Sequence, residues 1–189
     1  MKLLAQILCS LFFCYVPLCC AKVNRFIPIA SMPAALKEAS GLVYIKPYLW
    51  TLVDSYDTRL YAISPVSGQV IKTVKLTGVH NHDWESLSSD RHYLYIGDIG
   101  NNTGNRKNLA IYRIPLASLK NKRTSQINVS RITYPGYTPR YQWLMHDFDA
   151  EALLIGKKNI VLLTKNWRSR GTDLYQLPKQ PSHHIVKAI

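Results

Sequence analysis

Three short segments constrain this chain more than anything else in it: E-A-S-G-L at 38–42, D-W-E-S-L at 83–87 and D-A-E-A-L at 149–153. A second apolar run follows each at the same offset, with Ser40 leading to Trp50 in LWTLV, Glu85 to Tyr95 in LYIG and Glu151 to Val161 in IVLLT. A third run carries tyrosine in register, as L-Y-A-I at 60–63, I-Y-R-I at 111–114 and L-Y-Q-L at 174–177. A fourth reads V-I-K-T-V-K-L at 70–76 and I-N-V-S-R-I-T-Y at 127–134, and Ile185 to Ile189 begins its third copy. Clusters of Gly, Pro, Asn and Ser separate these β-rich runs, and helical periodicity is scarce, so the chain is all-β. Four short strands recurring as a set predict β-propeller blades, about three of them, over approximately 38–77, 83–134 and 149–189, the last incomplete. An insertion over 135–145 lengthens the second unit.

Rings of this kind close with about four to eight blades. The expectation is therefore a chain shortened relative to a larger ring, or one completed by partner copies. Open blade edges also invite self-association.

Composition narrows the class. A hydrophobic content of 47% with 19% charged residues in 189 residues is that of a globular domain able to bury a core. Residues 1–21 stand apart: Lys2 precedes an apolar stretch over 7–18, and Cys19-Cys20-Ala21 offers small residues before a cut at Lys22. This predicts a signal peptide, a propeller domain over 22–189, no transmembrane segment, and export to the periplasm or beyond. A lipid anchor on Cys19 or Cys20 is disfavoured, because Leu18 stands where a small residue is wanted. All four cysteines lie in this segment, which leaves the exported chain neither disulfides nor thiolate ligands. The net charge of +13 invites a nucleic-acid reading, yet Lys and Arg are scattered. The densest run, Lys120-Asn121-Lys122-Arg123, reads as a hairpin tip, and no specific nucleic-acid partner is expected.

Against that basic background the 11 acids are placed selectively. Seven fall at or beside repeat positions: Glu38, Asp54, Asp83, Glu85, Asp98, Asp149 and Glu151. In a strand, residues i and i+2 share a face, so Asp83 with Glu85 and Asp149 with Glu151 each aim two carboxylates one way. The first strands of blades line the central axis, where such pairs converge. Crowded carboxylates need a cation, shared protons or basic partners, and oxygen donors without thiolates suit Ca²⁺. Glu38, Asp83, Glu85, Asp98, Asp149 and Glu151 are the candidate metal ligands, and Glu85, Arg106 and Lys165 the candidate catalytic residues. The competing reading makes the same acids mortar between blades, bonded to backbone amides or to Arg106 and Lys165.

The series E-x-S-G-L, D-W-E, L-Y-I-G-D-I-G-N-N with Arg106 following, I-Y-R-I-P, D-A-E-A-L and T-K resembles a family of exported, largely uncharacterised bacterial β-propellers. The resemblance spans about residues 33 to 178. It implies blade starts at D-W-E and D-A-E-A-L, and relatives that continue through further blades. Val53 departs from it, where the family often has Asn before Asp-Ser. A more distant likeness, to calcium-dependent lactonase and phytase-type propellers, implies metal and substrate over the axial channel.

Other motifs carry less. His80-Asn81-His82-Asp83 lacks the spacing of a metallo-hydrolase H-x-H-x-D-H, and His80, His82 and His146 read as loop histidines. Residues 97–102, G-D-I-G-N-N, are followed by neither a helix nor Lys-Ser or Lys-Thr, so no phosphate-binding loop is supported. They read as a loop whose glycines adopt left-handed backbone. The tryptophans read as packing residues. No serine sits in G-x-S-x-G, and a nucleophilic triad is not expected. Two functional classes follow: a Ca²⁺-dependent ester or phosphoester hydrolase with an acidic axial site, or a non-catalytic propeller binding a small-molecule or envelope ligand. An inactive, shortened relative is the third.

Overall fold

A computed structural model describes residues 27–189; the expected signal segment lies outside the described residues. The described chain is all-β with two short 3₁₀ turns, Ala34–Leu36 and Leu116–Lys120. Its strands are β1 (Ala39–Ile45), β2 (Tyr48–Val53), β3 (Arg59–Ile63), β4 (Val70–Leu76), β5 (Trp84–Ser89), β6 (Tyr93–Asp98) and β7 (Ala110–Pro115). There follow β8 (Arg123–Thr124), β9 (Asn128–Thr133), β10 (Ala150–Ile155), β11 (Asn159–Thr164), β12 (Leu174–Pro178), β13 (His183–Ile185) and β14 (Lys187–Ala188). They form three sheets, ordered β1-β2-β3-β4-β8, β5-β6-β7-β9-β13 and β10-β11-β12-β14.

Each sheet is an antiparallel meander opened by one of the three acidic segments. Each first strand carries a β-bulge at the same place: the register shifts between Ala39 and Gly41, between Trp84 and Ser86, and between Ala150 and Ala152. The bulged residues are Ser40, Glu85 and Glu151. A bulge re-aims the side chain it carries and ends regular pairing, so these positions leave the simple two-residue alternation.

Burial explains which strands alternate. β6 is buried along nearly its whole length because its sheet lies between the other two. One apolar cluster joins Trp50, Leu52, Leu60 and Val74 of the first sheet to Trp84, Leu87, Leu94 and Ile96 of the second. Another joins Tyr95 and Ile111 of the second to Leu153, Leu162 and Tyr175 of the third. Fully burying each such side chain is worth about 1.5–3 kcal/mol, so the sheets are held face to face mainly by these two layers. The far face of the first sheet is covered in part by Leu36, packed on Val53, Tyr61 and Ile63. The outer strands β4 and β9 alternate, with one face in water.

Neighbouring sheets are also clasped at both ends. On the inner side Ser40 Oγ donates to the Trp84 carbonyl, and the Leu153 N–H donates to Ser86 Oγ at 3.1 Å. Gly41 lets these strands approach, since a Cβ there would lie 2.7 Å from the Leu87 nitrogen. On the outer side β8 pairs in parallel with β4, and β13 with β9. In both cases the segment between the third and fourth strands of one sheet reaches back to cover the edge of the sheet before it, which removes an unpaired edge. The basic run 120–123 is therefore not a hairpin tip: Lys120 ends a 3₁₀ turn and Arg123 begins this clasp. The G-D-I-G segment also departs from expectation. Gly97 and Asp98 belong to β6, and neither Gly97 nor Gly100 is left-handed. They are glycines because neighbours press on them, Leu153 on Gly97 and the Asp83 carboxylate on Gly100.

Candidate functional site

The carboxylates gather where the first strands meet, and they divide into two populations. Asp98 and Asp149 are fully buried and spent on hydrogen bonds. Asp98 Oδ1 accepts from Arg106 Nη2 at 2.7 Å and from the Asp83 N–H at 3.1 Å. Its Oδ2 accepts the Tyr112 hydroxyl proton at 3.3 Å and lies 3.2 Å from His82 Nδ1. Asp149 Oδ1 accepts the Asn101 N–H at 2.5 Å and Oδ2 the Trp167 Nε1–H at 2.7 Å. Both tie one chain segment to another.

The second population is Asp83, Glu85 and Glu151, all half-buried. Asp83 and Glu85 lie together over Gly100: a Cβ on that glycine would overlap the Asp83 carboxylate and stand 2.8 Å from Glu85 Oε1. The interaction between the two carboxyls lowers Asp83 and raises Glu85. Burial pushes the Glu85 carboxyl up to about 8, with the charges of Glu151 and Asp83 adding to it. Burial also raises Asp83, opposed by its bond to Glu85 and by the Arg106 charge. Glu151 is raised by burial and by Asp149, against the pull of Lys165, whose Nζ stands 3.3 Å from Glu151 Oε1. Carboxylates held this way have too little positive charge around them.

The two flanking cations differ. Arg106 Nη1 donates to the Gly100 carbonyl at 2.5 Å, and Nη2 binds Asp98; only 11% of its side chain is exposed. Its guanidinium is committed to holding the 98–106 loop. Lys165 is half exposed, and its ammonium also sits 4.1 Å from the centre of the Trp167 ring. Glu38 is exposed and forms no ion pair among the described residues; the structure does not bring it to the others. Asp54 is close enough to add to the repulsion on Asp83. Of the histidines, His82 bonds Asp98 and, through Nε2, Asn108 at 2.9 Å.

Among the described residues no group of three or more His, Cys, Asp or Glu side chains is assembled as a metal cage. In kind the donors suit a hard cation, being carboxylate oxygens that repel one another. In arrangement only Asp83 and Glu85 are paired, and Glu151 would join them by exchanging Lys165 for the ion.

Two residues have more to do here than the sequence suggested. Trp167 was read as packing, but its indole N–H is a partner of buried Asp149 and its ring carries the Lys165 ammonium. His146 is the loop residue expected, but a buried one, 4% exposed. The insertion over 135–145 was the available signal, because a long stretch without strands must pack on something, and it packs beside both.

No family model matches this chain, and the comparison with curated proteins gave no significant match. Among solved structures, the computationally designed Ika4 protein is similar at a TM-score of 0.41 and 10% identity, covering 87% of this chain and 98% of that one. The computationally designed Ika8 protein is similar at 0.38 and 10%, covering 85% of this chain and 48% of its own, so this chain spans about half of it. Neither likeness bears on function. No helix among the described residues is long and apolar enough to cross a membrane.

Proposed function

We propose that this is an exported protein of β-propeller blades, of the bacterial kind its motif series resembles, whose working site is the Asp83–Glu85 pair with Glu151. The function that best fits these residues is Ca²⁺-assisted hydrolysis of an ester or phosphoester. One observation carries the reading: Asp83 and Glu85 are packed together over Gly100, and neither forms an ion pair among the described residues, an arrangement in which burial and acidic neighbours push Glu85 up to about 8. Perturbed carboxyls of this type concentrate at functional sites. A bound divalent ion would supply Lewis acidity and hold substrate oxygen. The chain's own part is to present Asp83 and Glu85 together over Gly100, and to keep the half-exposed Lys165 beside Glu151 as a cation next to developing negative charge. Arg106 positions the loop.

The second reading, a non-catalytic propeller for a small-molecule or envelope ligand, is favoured by the buried Asp98 and Asp149, both spent on structural bonds: Asp98 holds Arg106 within the second sheet's own segment, and Asp149 takes the Asn101 N–H across from the third sheet to the second. Self-association belongs to either reading. Exposed Leu42 and Tyr44 on the first sheet and Leu154 and Leu174 on the third are the surfaces where copies would meet, and sedimentation would detect it.

Thermal unfolding with chelator, then with Ca²⁺, separates the two. Calcium at ~100 times its dissociation constant stabilises the native state by about 2.7 kcal/mol. A raised Tm in the wild type, absent in Glu85→Gln, together with turnover of generic esters or phosphoesters, supports the hydrolase. A Tm indifferent to Ca²⁺ and no turnover support the binding protein.

A further inference from the structure

We propose that the insertion between β9 and β10 builds an anion pocket for a phosphate monoester carried on an apolar or aromatic body. None of Asp83, Glu85 and Glu151 lines it, so it is distinct from the acidic site. The segment from 134 to 149 has no regular secondary structure, yet it is firmly seated. Arg140, Gln142 and Leu144 donate their backbone N–H groups to the carbonyls of Gly104, Thr103 and Asn102, at 3.0, 2.8 and 3.0 Å. The insertion thus runs along the loop that follows β6. Two adjoining cavities, about 480 and 680 Å³, open against it and share Arg140, Gln142, Met145 and Arg168 as common walls. Both volumes lie in the range of small-molecule sites.

Three features point to a ligand. First, Arg140 and Arg168 line both cavities, and neither forms an ion pair among the described residues. Two unpaired guanidiniums at one cavity suit phosphate oxygens, which arginine binds in a bidentate manner. Second, His146 lines the smaller cavity, is 4% exposed, and leaves a polar atom unsatisfied. Its Nδ1 accepts the Phe148 N–H at 3.1 Å, which places the neutral ring's proton on Nε2. Nε2 is buried without a partner, an unusual cost that a ligand or its water would remove. Third, three non-glycine residues among those described have left-handed backbone, and two of them, Leu144 (φ 51°) and Arg170 (φ 62°), line the larger cavity. Such strain gathers at ligand clamps.

The apolar half of the ligand follows from the rest of the lining. Tyr141 and Met145, 71% and 70% exposed, line the larger cavity together with the half-buried Trp167. Large exposed side chains beside two arginines suit an anion on a planar or apolar group, not a bare inorganic ion. Trp167 also bonds Asp149, so the pocket and the buried framework of the acidic site share a residue. The pocket itself stands on the insertion's geometry, whether or not the carboxylates take a cation.

The test is calorimetric titration of the chain with phenyl phosphate, inorganic phosphate and phenol. Phenyl phosphate is expected to bind more tightly than either fragment. Arg140→Ala and Arg168→Ala, both at exposed positions, should each weaken it about tenfold, the factor for one charge-assisted hydrogen bond. His146→Asn adds a variant inside the cavity, with circular dichroism checking its fold. The Lys157→Ala/Lys158→Ala variant removes two charges from the exposed β10–β11 turn and should leave binding unchanged. No binding of phenyl phosphate by the wild type overturns the proposal. Equal weakening by the lysine and arginine variants also overturns it, reducing the effect to attraction by net charge. Glu85→Gln should keep phenyl phosphate binding while losing any Ca²⁺ response, so failure of one site is separable from failure of the other.

Discussion

Replacing Glu85 by glutamine removes a carboxyl that holds its proton very differently in the folded and unfolded chain. Unfolded, it ionises near its ordinary value of 4.5; folded, burial and the Glu151 and Asp83 charges push it up to about 8. A difference of that size would carry at most ~5 kcal/mol in a side chain sealed from water. Glu85 is only half-buried, and solvent screening brings the expected effect down to ~2 kcal/mol. The native state binds the proton more tightly, so the stability this confers is fully present below about pH 4.5. It declines as pH rises and is gone above about pH 8. In chelator, wild-type Tm should therefore fall from pH 5 to pH 9 by roughly 4–8 °C more than that of Glu85→Gln, for a domain of this size. The two should match at pH 5, where glutamine mimics the protonated acid. Calorimetry at pH 5, 7 and 9 measures this directly. Parallel pH profiles would refute the electrostatic argument. A variant less stable by the same margin at every pH would make Glu85 structural mortar.

Four further expectations use the same unfolding measurements. Asp149→Asn should cost about 2–3 kcal/mol, because the Asn101 N–H and Trp167 indole both need acceptors in a dry site; Asp83→Asn should be neutral or stabilising at pH 8, since it relieves repulsion. Gly100→Ala should cost only about 1–2 kcal/mol, because the overlapped atoms are movable side-chain ends, yet it should abolish any Ca²⁺ stabilisation by driving the acid pair apart. Asp90 is held well below the ordinary carboxylate range, against its burial, by bonds from Lys179 Nζ at 2.8 Å, the His92 and Tyr93 amides and the Tyr95 hydroxyl. Its contribution is present above its ordinary value of 3.8 and lost as pH falls, so Asp90→Asn should remove part of the acid-unfolding transition.

Most strand positions were legible because short β-branched and aromatic runs between turn residues have few alternatives. Leu60 to Ile63 and Val70 to Leu76 became β3 and β4 with little change of bounds. Proximity of Asp83 and Glu85 was legible too, although the route to it was incomplete. The i, i+2 rule assumes an unbroken strand, whereas Glu85 sits on a bulge between Trp84 and Ser86. Nothing local distinguishes a residue that will bulge. The clasps were illegible for a different reason: β8 and β13 are two- and three-residue segments that are strands only because an edge from the preceding sheet is available. His146 and Trp167 were missed because their roles depend on where an irregular segment folds back, and periodicity says nothing about that.

The acids that occupy matching places in D-W-E and D-A-E nonetheless behave differently, and the cause can be traced to one backbone position. The Asp54 N–H donates to the Glu38 carbonyl at 3.1 Å, the Gly100 N–H to the Asp83 carbonyl at 3.2 Å, and the Lys165 N–H to the Asp149 carbonyl at 2.6 Å. By this bond the three residues stand at corresponding points beside the start of each first strand, although in the second sheet one extra residue, Ile99, intervenes after the end of the second strand. In the third sheet the point carries a lysine, whose ammonium meets Glu151, and Trp167 two residues on satisfies Asp149. In the second sheet it carries glycine, which offers no charge and leaves only the space that Asp83 and Glu85 fill. In the first it carries an aspartate, which adds to the repulsion on Asp83. One lysine, one glycine and one aspartate thus set the local charge around three nearly equivalent strand starts. A framework needing only mortar would be served by lysine at each of them. The glycine and the aspartate leave the centre of the array short of positive charge, and that deficit is what a cation or a shared proton has to fill.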